Sequence, residues 1–236
     1  MKQSKTMLEG SEWKLILLFT LPLMAGNLLQ QLYNTVDGIV VGNFVGETAL
    51  AAVGTCAPLT MLFTAIALGM SNGAAVVVSQ FYGAGRMNEM KKAVASSLIL
   101  LFGMGVVLSI LGCVLSGWLL RVVLGVQEYL LPQAELYFRI YAIGLLAQFI
   151  YNIVAAILRS MGDSRATLYF LLVSAVCNIL LDMLAVIALG WGVMGVAVAT
   201  VVSQILSAAV SVVYLFHRYT SLRFAKGELR FDGEMG

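Results

Sequence analysis

Residues 166–189 read ATLYFLLVSAVCNILLDMLAVIAL. A bilayer demands about 20 mostly apolar residues of a spanning helix, and this stretch supplies them with one exception. The exception is Asp182, the only charged residue from Ala166 to Phe216. A second run has the same form: from Leu15 to Gly46 the only charge is Asp37. An ionisable group inside a span is costly. Such groups face a bundle interior or a water-filled cavity, and they mark pathways for ions or substrate.

The rest of the chain agrees with a membrane setting. Of 236 residues, 61% are hydrophobic and 11% charged, about half the charged fraction of a soluble domain. The reading is an all-α polytopic membrane protein. A net charge of +2 gives no footprint for nucleic acid. Cys56, Cys113 and Cys177 lie in apolar segments and read as small buried hydrophobes, not as a disulfide or metal set. The single His217 stands at the end of the last span, so no histidine-based metal site or relay forms within the membrane. The first apolar run is too long for a cleavable signal and lacks a small-residue cleavage site. There is no G-x-x-x-x-G-K-[ST] loop and no H-E-x-x-H motif. The chain is therefore expected to be neither an ATP-driven pump nor any other enzyme, and to need no cofactor.

Six spans follow from the apolar runs: about 15–44, 48–82, 93–120, 136–158, 166–189 and 193–216. They compose a transmembrane unit over 15–217, flanked by a cytoplasmic N-terminus (1–14) and a cytoplasmic tail (218–236). Pro22 removes a backbone donor within the first span and predicts a kink there. Gly190-Trp191-Gly192 predicts a tight turn between the fifth and sixth. Gly83-Ala84-Gly85 is read as an interhelical turn. Gly69 and Gly73 have the small-xxx-small spacing of close helix packing. Glu135 and Arg139, at i, i+4, read as an interfacial ion pair. The basic residues fall on one side: Lys2, Lys5, Lys14, Arg86, Lys91, Lys92, Arg159, Arg165, Arg218, Arg223, Lys226 and Arg230, with only Arg121 and Arg139 opposite. By the positive-inside rule both termini are cytoplasmic, in the cell's inner (plasma) membrane.

The two acids share a depth. Asp37 precedes Phe44 by seven residues and Asp182 precedes Leu189 by seven. At about 1.5 Å per residue each lies roughly 10 Å from the outer end of its helix. Thr200, seven residues past Val193 on the returning span, falls at the same level. Polar residues accompany both acids at helical spacing: Ser174, Asn178 and Asp182 on one helix, and Asn27, Gln30, Tyr33, Asn34 and Asp37 on the other. Gln30, Tyr33 and Asn34 are candidates for a substrate cavity. Amides and hydroxyls also glue helices together in membranes, and for Asn27, Gln30 and Ser174 both readings stand. For the acids, burial disfavours the charged form and proximity disfavours double ionisation. Protonation or a bound cation resolves both, which is the chemistry of an ion-coupled secondary transporter.

These segments together resemble the N-terminal half of the multidrug and toxic compound extrusion transporters, in the prokaryotic branch of the DNA-damage-inducible efflux proteins. The resemblance rests on Leu21-Pro22 followed by Gln30, Tyr33 and Asp37, and on Leu50-Ala51-Ala52-Val53-Gly54. It continues through Ser79-Gln80 with Gly83-Ala84-Gly85, then Leu158-Arg159 with Gly162-Asp163, then Asn178 and Asp182, and finally Gly195 through Thr200. It implies one six-helix lobe of a two-lobe, twelve-helix transporter that exports amphipathic organic compounds in exchange for Na⁺ or H⁺. It also implies a cation site of Asp37, Asn178, Asp182 and Thr200, joined by Tyr137 and Asn152, with Na⁺ held at Asp37, Asn178 and Asp182. Tyr141 competes with Tyr137 for the same place, and Asn152 lies deeper than the rest. Pro22 is the implied hinge.

The family is about twice this length. A C-terminal lobe or a second half-chain is therefore expected as partner, beside the bilayer and a small-molecule substrate. A related flippase of lipid-linked precursors and a non-transporting or truncated subunit are the alternatives.

Overall fold

The computed structural model describes residues 12–222. The side chains of Ser221 and of several positions of the first helix, Pro22 and Asn27 among them, fall outside that description. So do Lys2, Lys5, Arg223, Lys226 and Arg230 of the basic set.

The described chain is helical, with no strand among the described residues. Its α-helices are α1 (Glu12–Val40), α2 (Glu47–Thr55), α3 (Ala57–Gly83), α4 (Met87–Trp118), α5 (Leu131–Ser160), α6 (Ser164–Asp182) and α7 (Gly192–Arg218). α2 and α3 form one interrupted span, which gives the six spans expected. The interruption at Cys56 follows from Pro58, which has no N–H to continue the ladder; the Cys56 N–H turns back to the Val53 carbonyl at 3.1 Å. Among the described residues, five spans are long and apolar enough to cross a membrane, beginning at Glu47, Met87, Leu131, Ser164 and Gly192. α1 runs as one element through Pro22.

The helices that reach one end of the bundle finish alike. α1, α4 and α6 each widen into a π-helical segment: Val41–Val45, Leu119–Val123 and Met183–Ala188. Such segments are short and concentrate at functional sites. Here Asp182 is the last α-helical residue before one of them, and Asp37 precedes another by four residues. The expected turn at Gly190-Trp191-Gly192 is present, and both glycines have left-handed backbones, with φ of 64° and 57°.

α5 is the axis of the lobe. It packs along α3, α4 and α7, while α6 bridges α7 to α1. The extensive packing of α1 is on α6 alone, so α1 is the least anchored span. Lipid is as apolar as leucine, so close backbone approach has to hold such helices together. A methyl on Gly144 would stand 2.7 Å from Val201 Cγ2, and one on Gly112 would stand 2.9 Å from Ala142 Cβ. Gly69 and Gly73, whose spacing suggested such contacts, face open space. Their spacing is right, but their side of α3 meets no neighbour.

Three apolar clusters fill the bundle. One, around Met90, Phe149, Ile153, Ile157 and Leu215, sits where the α3–α4 and α5–α6 turns meet the end of α7. Those turns carry Arg86, Arg159 and Arg165, so this is the basic end. A second gathers Phe63, Phe138, Tyr141 and Leu145. The third, Val40, Val41, Ala49, Val186, Val193 and Val196, closes the opposite end. At that end the Glu135–Arg139 ion pair forms as expected, and Arg139 also donates to Ser116 Oγ at 2.9 Å.

Candidate functional site

The α1–α6 contact brings the two acids together. The Asp37 and Asp182 carboxyls are close enough to interact directly. Asp182 is 0% exposed and Asn178, one turn away on the same face, 2%. Neither Asp182 oxygen, neither Asn178 amide atom, nor Asp37 Oδ1 has a hydrogen-bond partner among the described residues. Leaving one buried polar atom unpaired costs on the order of 1–3 kcal/mol, and more for a charge. A cluster of them is costly unless an ion, a proton or water satisfies it.

Thr200 joins this set through the register of α6 against α7. Ala185 lies against Gly195, the Ser174 hydroxyl donates to the Ser203 carbonyl at 3.3 Å, and the Ser207 hydroxyl donates to the Phe170 carbonyl at 3.5 Å. That antiparallel register sets Thr200 level with Asn178. Its hydroxyl donates to the Val196 carbonyl at 3.0 Å, which leaves the oxygen lone pairs available to a cation. Tyr137 is within electrostatic reach of Asp37 and stacks on Tyr141, with ring centroids 6.4 Å apart. Tyr141 has a different role. Its hydroxyl donates to Gln148 Oε1 at 3.0 Å, and Gln148 Nε2 donates to Thr64 Oγ1 at 2.8 Å. The two tyrosines lie one turn apart on the same face of α5, and it is height along the helix that separates them: Tyr137 is the one within electrostatic reach of Asp37, and Tyr141 ties α5 to α3.

On the other side of the acids lies the valine cluster. Val40 and Val41 follow Asp37 by about one turn, Val186 follows Asp182, and Val196 lies one turn from Thr200. The pair is therefore capped by apolar side chains towards the end opposite the basic turns.

Towards the basic end the lobe opens into a cavity of about 150 Å³ between α1, α3, α5, α6 and α7. Gln30 and Tyr33 line it as expected. Asn34 does not: it is exposed, and its amide donates to Gln31 Oε1 at 3.4 Å. Asn34 is rotated about 100° from Tyr33, onto the face of α1 turned away from the cavity. Asn152 lines the cavity as well, with its amide donating to the Gln148 carbonyl at 2.9 Å. It follows Tyr137 by fifteen residues on α5, which is about 22 Å along the helix, so it keeps company with Gln148 and Tyr151 instead of the acids. Thr64, Gln148, Arg159, Thr167 and Gln204 also line the cavity and were not anticipated. Gln148 and Gln204 stand alone in apolar runs, which was the available signal. Among the described residues no three or more His, Cys, Asp or Glu gather into a metal cluster. The acid, amide and hydroxyl oxygens suit a hard monovalent cation or a shared proton.

Comparison with known proteins places this geometry. The MatE family model matches residues 22–184. The chain is 34% identical to the probable multidrug resistance protein YoeA of Bacillus subtilis, over 94% of this chain and 48% of that protein. It is 32% identical to the probable multidrug resistance protein YpnP of the same organism, over 83% of this chain and 44% of that one. Its fold superposes on a solved MOP-superfamily transporter from Pyrococcus furiosus with a TM-score of 0.89 at 30% identity, covering 100% of this chain and 52% of that one. The chain spans about half the length of the curated relatives it matches.

Proposed function

The chain belongs to the MatE family of membrane transporters, and we propose that its lobe carries the coupling site of a cation-driven antiporter exporting amphipathic organic compounds. The observation that carries this reading is the buried Asp37–Asp182 pair with the unpartnered oxygens around it. Na⁺ or H⁺ enters as the coupling ion: Asp37, Asn178 and Asp182 hold Na⁺, with Thr200 and Tyr137 beside it, or the two carboxyls share a proton. A loaded site cancels one of the two negative charges, which removes the repulsion and lets α1 lie against α6. An empty site leaves two carboxylates in a low-dielectric contact, and their repulsion acts on the span that has little other anchorage. Pro22, within α1, is where that span would bend. In this reading the basic end is cytoplasmic, the cavity is the cargo side of the lobe, and a C-terminal lobe completes the pathway.

The test is drug efflux in everted vesicles containing this chain together with a C-terminal lobe, under separate Na⁺ and pH gradients. Asp37→Asn and Asp182→Asn should insert normally and lose gradient-driven efflux. Unchanged efflux in both variants would overturn the proposal.

A further inference from the structure

The cavity contains a charge that the coupling site does not use. Among the described residues its lining is amide, hydroxyl and apolar except for one side chain, Arg159. Arg159 has no acidic partner among the described residues. The arginines that have one are Arg86 with Glu89, Arg121 with Glu128 and Arg139 with Glu135. The nearest acid in sequence, Asp163, accepts instead from the Ala166 N–H at 3.3 Å and the Tyr214 hydroxyl at 2.9 Å. A second observation comes from α7: Gln204 Oε1 is buried and unpartnered, and Gln204 lines the same cavity. That oxygen lies against Gly144 of α5, and the other end of the same amide is a hydrogen-bond donor. The size limits what fits. A cavity of about 150 Å³ is of the order that holds a benzene and well short of the roughly 300–1,000 Å³ of a whole drug-sized site.

We propose that this cavity receives the anionic head group, a carboxylate or phosphate, of an amphipathic compound. Arg159 is the counter-charge, Gln204 and Asn152 are hydrogen-bonding partners, and the apolar part of the ligand stays outside the lobe. The acid pair lies far from this charge: Thr167, also in the lining, precedes Asp182 on α6 by fifteen residues, about 22 Å. The two ends of the lobe can therefore hold ligands of opposite sign. This assignment rests on reading the cavity as the cargo side of the lobe.

The test measures binding, not transport, so it separates from failure of the coupling reading. The full chain is placed in phosphatidylcholine nanodiscs and titrated with radiolabelled octyl phosphate and, separately, octyltrimethylammonium. The phosphate should bind about tenfold tighter or better, as charge-assisted hydrogen bonds allow. Arg159→Gln should abolish that preference, and Arg159→Lys should retain most of it. Gln204→Glu, which places an acid in the cavity without touching Arg159, should also abolish it. Equal binding of the two amphiphiles by the wild type, or a preference that survives both Arg159→Gln and Gln204→Glu, overturns the proposal. Gly73→Ala, on an open face of α3 away from the cavity, should leave the preference intact; its loss there would overturn the assignment to Arg159. Adding phosphatidylglycerol to the nanodiscs identifies the source. Competition that disappears in Arg159→Gln supports the site as a lipid head-group receptor, and absence of competition supports it as one for soluble amphiphiles.

Discussion

The Asp182 carboxyl, fully buried at the point where α6 widens into a π-helical segment, is close enough to interact directly with the Asp37 carboxyl of α1, and no donor among the described residues satisfies either Asp182 oxygen. Two acids held this way do not stabilise a fold. Removing one charge relieves a desolvation cost, whereas removing one partner of an ordinary buried ion pair adds one.

Asp182→Asn should therefore raise or leave unchanged the thermal unfolding midpoint of the ion-free protein, by the equivalent of about 0–3 kcal/mol. It should also remove the stabilisation that added Na⁺ gives the wild type. Differential scanning fluorimetry with and without Na⁺ reads both. A large loss of ion-free stability would show that the pair is structural.

Na⁺ can bind only deprotonated carboxylates, so protons and Na⁺ compete for the pair. The apparent Na⁺ affinity of the wild type should fall as pH drops, and in Asp37→Asn it should be weak at every pH. Radioactive Na⁺ binding across a pH series checks this. An affinity that rises on acidification would exclude the carboxylates as ligands.

The valine cluster of Val40, Val41, Val186, Val193 and Val196 separates the pair from the end of the lobe. Val186→Ala removes two methyl groups from that cap and should cost about 1–2 kcal/mol by cavity formation. It should also admit solvent to the pair. With Cys56, Cys113 and Cys177 replaced, a cysteine at position 178 should react faster with a membrane-impermeant thiol reagent when Val186→Ala is present than when it is absent.

Gly144 lets α5 approach α7, with Val201 Cγ2 where a methyl would sit. Gly144→Ala should destabilise the lobe by about 1–3 kcal/mol, and Val201→Ala should recover part of that in a double-mutant cycle. Gly73→Ala, on an open face of α3, should be neutral or slightly stabilising through helix propensity.

Tyr141→Phe leaves Gln148 Oε1 without its donor and should cost about 1–2 kcal/mol. Combining it with Gln148→Leu should cost less than the sum of the two single changes, because the orphaned acceptor disappears with its partner. Chemical unfolding in mixed micelles measures both.

Much of this was legible in the residues. The six spans, the polar stripes and the shared depth of Asp37, Asp182 and Thr200 follow from the length of apolar runs and the rise per residue. Asn178 follows as well, because a helical repeat sets it one turn from Asp182 on the same face; Tyr137 was implied only by the family resemblance. The glycine contacts were not legible: Gly69 and Gly73 have the right spacing, yet Gly144 and Gly112 make the close approaches. Asn34 was placed by its helix but not by the direction its face takes, whereas the distance of Asn152 from the acids is one of depth along α5, which its position in the sequence already gave. Arg159 looked like one more marker of orientation until its surroundings showed a cavity and, among the described residues, no acid.

The sequence by itself determined that this chain is a bundle of membrane-spanning helices and that two acids sit at one level inside it. Both are consequences of a solvent that tolerates neither unpaired backbone nor stray charge. Only the tertiary structure decided that the two acids meet, that a valine cap lies on one side of them and a cavity on the other, and that Arg159 has no acidic partner among the described residues. These depend on how each helix is rotated about its axis and which neighbour it touches, and spacing along one helix carries no information about the azimuth of another.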